Sequence, residues 1–174
     1  MRRLIPQVAL LLMVPALTLA QDAGHPYRGQ GYVVCGFGVG LPLRGISSTR
    51  IDQIGAGGEG FLYEGLGLGA EVGYASWRGY GNSAWVVSGD FSYHFGRHAR
   101  RGRLDPFVLG GASFVGPTEA GGGRGSPAGN FGGGTNLWIA DHAALRFEFR
   151  DVAEATQFWP YPHYLSFRFG VTFR

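Results

Sequence analysis

The last eleven residues, YLSFRFGVTFR (164–174), place Leu165, Phe167, Phe169, Val171 and Phe173 at alternate positions, with Ser166, Arg168, Gly170 and Thr172 between them. A period of two is the mark of a strand whose two faces meet different surroundings. The same pattern recurs back through the chain. It predicts strands over 32–41, 51–62, 66–76, 84–95, 106–115, 128–139, 144–151 and 164–174. In 66–76, for example, Leu66, Leu68, Ala70, Val72 and Tyr74 oppose Gly67, Gly69, Glu71 and Gly73. No stretch after the first twenty residues carries apolar positions at helical spacing, and 32 glycines in 174 residues work against long helices. The expected fold class is all-β.

The two faces differ in kind. One is continuous, uncharged and rich in aromatic residues: Phe37, Trp85, Phe91, Tyr93, Phe95, Phe107, Phe147, Phe149, Phe167, Phe169 and Phe173. The other is mostly Gly, Ser and Ala, with Glu59, Glu71, Asp90, Arg146, Glu148, Arg150 and Arg168 among them. A water-facing row would carry many more charges, and only 16% of this chain is charged. Small residues and charges of both signs suit a narrow, crowded interior in which the charges neutralise one another. The aromatic bulk does not fit inside an eight-stranded barrel, so it faces lipid. Aromatics near strand ends (Tyr74, Trp77, Tyr80, Trp85, Phe95, Trp138, Trp159, Tyr161) fit interfacial girdles. Strands of this length cross a bilayer when tilted, and closure leaves no unpaired edge in lipid. Connections 42–50, 77–83, 116–127 and 152–163 are long, 63–65 and 140–143 are short, and 96–105 is intermediate. The expectation is an eight-stranded antiparallel up-and-down transmembrane β-barrel over 32–174.

The N-terminus, MRRLIPQVALLLMVPALTLAQDAG, has basic Arg2 and Arg3, an apolar run and Thr18-Leu19-Ala20 before Gln21. This reads as a secretory signal peptide over 1–20, removed on export, followed by a short lead-in over 21–31. The apolar run is short for a membrane-spanning helix. All 15 basic residues are arginines, and the net charge of +3 includes Arg2 and Arg3. The remainder is close to neutral, which gives no basis for a nucleic-acid partner. Cys35 is the single cysteine, so the chain holds no internal disulfide and no cysteine-based zinc site.

In GFLYEGLGLGAEVGYAS, DPFVLGGASF, AALRFEFRD and YLSFRFGVTFR the sequence resembles the small eight-stranded outer-membrane barrels of the OmpA, OmpX and OmpW kind, Gram-negative cell-envelope proteins of the outer membrane β-barrel domain family. The resemblance covers the expected mature chain nearly end to end. It implies a location in the bacterial outer membrane and contact with its lipid and lipopolysaccharide. It also implies delivery by periplasmic chaperones and the outer-membrane insertion machinery, and a monomeric state. That machinery's terminal signal has a glycine, an aromatic three positions on and an aromatic at the end. Gly170 and Phe173 match, and Arg174 stands one residue beyond.

Catalytic patterns are sparse. The deacylase type of small barrel uses a His and a Ser two residues apart on one strand. Here His163 and Ser166 are three apart and face opposite sides. His94 faces the interior four residues from Asp90 on one strand and reads as part of the polar interior. His25, His98 and His142 lie in the tail or turns without metal-ligand spacing. GGGRGSPAG lacks the lysine and helix of a phosphate loop. GRHARRGR (96–103) reads as a solvated basic turn. No cofactor and no catalytic activity are expected.

The expected function is that of a structural or interaction barrel with a plugged polar lumen (Glu59, Glu71, Asp90, His94, Arg146, Glu148, Arg150, Arg168) and surface-exposed loops, one of which carries Phe158, Trp159 and Tyr161. A porin-like narrow channel for small hydrophobic molecules is the alternative. A lipid A-modifying barrel enzyme and a soluble lipocalin-like barrel are further rivals.

Overall fold

The computed structural model describes residues 29–41, 48–63, 65–78, 82–95, 103–118, 125–154 and 163–174. The expected signal peptide, Phe158, Trp159, Tyr161, Tyr80, His25, His98 and most of the basic turn lie outside the described residues.

Eight strands follow one another: β1 (Gly29–Leu41), β2 (Thr49–Tyr63), β3 (Leu66–Trp77), β4 (Ser83–His94), β5 (Leu104–Pro117), β6 (Ser126–Ala140), β7 (Ala143–Glu154) and β8 (His163–Phe173). Each pairs antiparallel with the next, and β1 pairs with β8 to close the barrel. Most strands outrun the alternation that announces them. β1 starts at Gly29, so the end of the expected lead-in belongs to the wall. Backbone pairing continues through glycines and prolines at strand ends that show no apolar alternation. Both termini of the described barrel lie at the end with the tight β2–β3 and β6–β7 turns. The first of these uses Gly65 at φ +93°, where a side chain is strained.

Alternation sorts the wall as expected for most strands. Ile54, Leu68, Val87, Phe91, Phe131, Phe149 and Phe169 stand exposed on the outside, while Glu71, Asp90, Arg146, Glu148 and Arg168 are buried inside. A water-soluble surface does not carry an unbroken apolar belt of this extent; the hydrocarbon of a bilayer accepts it.

Three aromatics depart from the expectation. The sequence pattern puts Phe107 on the lipid face, but it is 2% exposed and points inward. The segment PFVLGG is apolar at consecutive positions, so its hydrophobicity leaves the parity open. The inward carboxylate of Asp105 shows which face it shares. Trp77 and Trp138, expected in the girdles, are buried as well. Trp77 packs edge-on against Tyr164 at 5.7 Å, and the Arg174 guanidinium lies 3.9 Å over Trp138. Tyr74 and Trp85 do face outward, edge to face at 5.5 Å.

Candidate functional site

The interior is layered. At the long-connection end, Ile51, Ala75, Trp77, Ala84, Val115, Ala128, Val152 and Tyr164 form an apolar cluster. Below it, toward the tight turns, lies a continuous ionic network.

Glu148 of β7 is the centre of that network. Its Oε2 accepts from Arg146 at 2.8 Å, and its Oε1 from Arg150 at 2.8 Å, with Arg168 at 3.4 Å from the same oxygen. Residues 146, 148 and 150 share one face of one strand, so a carboxylate between two guanidiniums follows from the period of two. Arg168 arrives from β8, whose register pairs it with Glu148. Its other amine reaches Glu71 at 2.6 Å. Arg150 also lies 3.5 Å from Glu71 and 3.3 Å from Asp90. The Arg146 guanidinium lies between the rings of Tyr32 and Phe107, 4.2 and 4.1 Å from their centroids. It stands 3.7 Å from Glu59, which links the centre to the lower layer.

In that lower layer His94 bridges two carboxylates. Its Nδ1 is 2.9 Å from Asp105 and its Nε2 is 3.2 Å from Glu59. A neutral imidazole donates from only one nitrogen. Carboxylate oxygens at both nitrogens therefore require the imidazolium or a shared proton at one of the two contacts. Phe107 stacks on the ring at 5.1 Å. Gln30 and Ser92 donate to Glu59 at 2.6 and 2.5 Å. Buried charge is tolerated only with such partners, and here each charged group has at least one.

All eight residues expected in the polar lumen point inward, and the ion pairs join them into one chain of contacts. His94, however, does not pair with Asp90; it takes Glu59 and Asp105. The reason is geometric: Asp90 and His94 sit four residues apart along one strand, whereas Asp105 lies on the paired strand β5 and Glu59 reaches the ring from β2. In the sequence Asp105 reads as the end of a basic connection, and its partnership is invisible without the β4–β5 register. Sequence reasoning also misses Tyr32, Gln30, Ser92 and the apolar layer. Parity marks Tyr32 as inward, but nothing in the sequence marks it as a platform for Arg146.

The other expected features are also located. Gly170 faces inward, and a side chain there would strike the Val33–Val34 backbone; Phe173 is exposed on the outer face. Arg174 donates to the carbonyl of Asp141 at 2.5 Å, on the β6–β7 turn. Ser166 is buried and donates to the Arg150 carbonyl at 3.2 Å, while His163 is largely exposed and lies 3.0 Å from Asp151. His163 and Ser166 thus make no nucleophile–base pair, and Ser92, two residues from His94 on the same inward face, donates to Glu59 rather than to the ring. Among the described residues no group of His, Cys, Asp and Glu is arranged to hold a metal ion.

The chain is similar to several solved barrels. The N-terminal β-barrel domain of Pseudomonas aeruginosa OprF has 20% identity and a TM-score of 0.58, over 84% of this chain and 98% of that one. Neisserial surface protein A has 11% identity and a TM-score of 0.65, over 83% and 96%. The outer membrane enzyme PagL has 14% identity and a TM-score of 0.50, over 84% and 99%. No family model and no curated protein matches the sequence. At these identities the likeness is one of fold, and the chain has the fold of the eight-stranded outer-membrane β-barrels.

Proposed function

We propose that this protein resides in the bacterial outer membrane as a structural or interaction barrel, with a closed interior and its contacts made through the loops and the lipid-facing wall. The observation that carries this reading is the Glu148-centred network. Three arginines, five carboxylates (Glu59, Glu71, Asp90, Asp105 and Glu148) and His94 occupy the interior, and the ion pairs tie them together across strands β2, β3, β4, β5, β7 and β8. An ion or solute entering there must break several desolvated ion pairs at once.

The hydrophobic-channel reading has one observation in its favour, the apolar layer at the long-connection end. The charged layer beneath opposes it, because an apolar solute gains nothing by displacing paired charges. Lipid modification finds less support. Both nitrogens of His94 are engaged by carboxylates, which leaves no lone pair to accept a substrate proton. Lipopolysaccharide contact, periplasmic chaperones, the insertion machinery acting on Gly170 and Phe173, and a monomeric state belong to the same proposal.

Two measurements test it. The folded protein should migrate faster in SDS before boiling than after, and planar bilayers containing it should stay silent. Steady single-channel current from the unaltered protein would overturn the closed interior. A chain that stays soluble in buffer and shows no heat shift would overturn the membrane assignment.

A further inference from the structure

Outside the barrel, at the long-connection rim, two arginines share one carboxylate. Asp52 on β2 accepts from Nε of Arg50 at 3.0 Å through one oxygen and from Nε of Arg78 at 2.5 Å through the other. Arg78 follows directly on β3, and its backbone N–H donates to the Arg50 carbonyl at 2.9 Å, so the two side chains rise from adjacent strands at one level. Both guanidiniums turn their Nε edge to Asp52. No hydrogen bond among the described residues engages their terminal amines, and the side chains are 57% and 65% exposed. The trio carries a net charge of +1. Asp52 offsets the repulsion between the two cations and fixes their orientation, leaving two forks of N–H donors side by side.

The surroundings define what those forks meet. Asp52 and Ile54 share the outer face one repeat apart, roughly 7 Å. Ile54 pairs with Tyr74, and Tyr74 with Trp85; all three side chains are exposed. Tyr and Trp on a lipid-facing wall mark the depth of the headgroup boundary. The arginines therefore stand just on the headgroup side of an aromatic and aliphatic shelf. Guanidinium forks match phosphate oxygens in geometry and charge.

We propose that Arg50 and Arg78, oriented by Asp52, form a binding site for the phosphorylated headgroup of a lipid in the leaflet at the long-connection end, with its acyl chain lying on Ile54, Tyr74 and Trp85. This rests on the membrane reading above.

The test places the full barrel in nanodiscs of phosphatidylcholine and titrates them with lipid A carrying its phosphates, with dephosphorylated lipid A, and with inorganic phosphate, retention being read by native mass spectrometry. The unaltered protein should hold the phosphorylated form at least about tenfold better than the dephosphorylated one, as charge-assisted pairs require. R50Q/R78Q should lose that preference while keeping its heat shift in SDS, since exposed ion pairs contribute little to folding. D52N separates a built site from diffuse attraction. It adds positive charge, yet it should weaken retention because the forks lose their orientation. Tighter retention by D52N, no preference in the unaltered protein, or inorganic phosphate retained as well as the lipid would each overturn the site. Failure of the unaltered protein to enter the nanodisc would overturn the membrane reading and the site together. Insertion without a phosphate preference would overturn the site alone.

Discussion

Glu148 shows how much one residue carries in this interior. It is 1% exposed and faces three guanidiniums, so its removal leaves like charges crowded in a space with little water. Breaking a buried ion pair from one side costs about 3–5 kcal/mol. Glu148→Ala should destabilise the folded barrel by about that amount, measured by urea unfolding in lipid vesicles. A loss under about 1 kcal/mol would mean that water reaches the guanidiniums, and would sink the closed interior. The inward position of Glu148 is legible from the alternation around it. Its three arginine contacts are not all so: two come from its own strand, but Arg168 depends on the β7–β8 register. His94 makes the same point more sharply. Its parity is readable, whereas both of its partners lie on other strands, 11 and 35 residues away.

At the scale of the strand, legibility depends on contrast between the faces. β4 and β7 alternate bulky apolar with polar residues, and the structure keeps their parity. β5 does not: Val108 is outside, while Phe107 and Leu109 are buried inside. Hydrophobicity alone cannot orient a strand that is apolar on both faces. The buried Trp77 and Trp138 have a different cause. Position near a strand end suggests the girdle, but parity places them inward, and Tyr164 and Arg174 hold them there.

Contact between the outer face and lipid can be tested on a single strand. Gly89 lies midway between outward Trp85 and Tyr93 on β4, and a Cβ built there meets nothing within 4 Å. Gly89→Arg is therefore sterically free. If the face meets hydrocarbon, the substitution should cost about 2–4 kcal/mol in lipid vesicles, the penalty for a cation near the bilayer midplane. A soluble barrel would present the introduced guanidinium to water, and an unfolding titration showing no loss in vesicles would rule out the lipid-facing assignment.

Over the whole molecule, the wall and its filling depend on each other. Gly36, Gly55, Gly73, Gly132, Gly134 and Gly170 share the inward face with the charged residues. At Gly36 a Cβ would come within 2.9 Å of the Arg168 side chain, and at Gly55 within 3.1 Å of the Glu71 carboxylate. Strands this bare on the inside enclose a space that the long charged side chains fill together with Tyr32, His94 and Phe107. The sequence displays both halves of that relation, small residues and compensating charges, which is why the closed barrel is readable before its contacts are. It conceals the apolar layer at the long-connection end, since Ile51, Val115, Val152 and Tyr164 come from four strand ends and meet only after closure. If the charged layer is the seal, replacing Glu148, Arg150 and Arg168 together with alanine should leave a gap lined by glycine. The variant should then conduct in planar bilayers where the unaltered protein is silent. Its current should favour cations, because Glu71 and Asp90 lose their arginine partners at 2.6 and 3.3 Å. A variant that keeps its heat shift in SDS and still passes no current would move the seal to the apolar layer, with Trp77 and Tyr164 as its largest members.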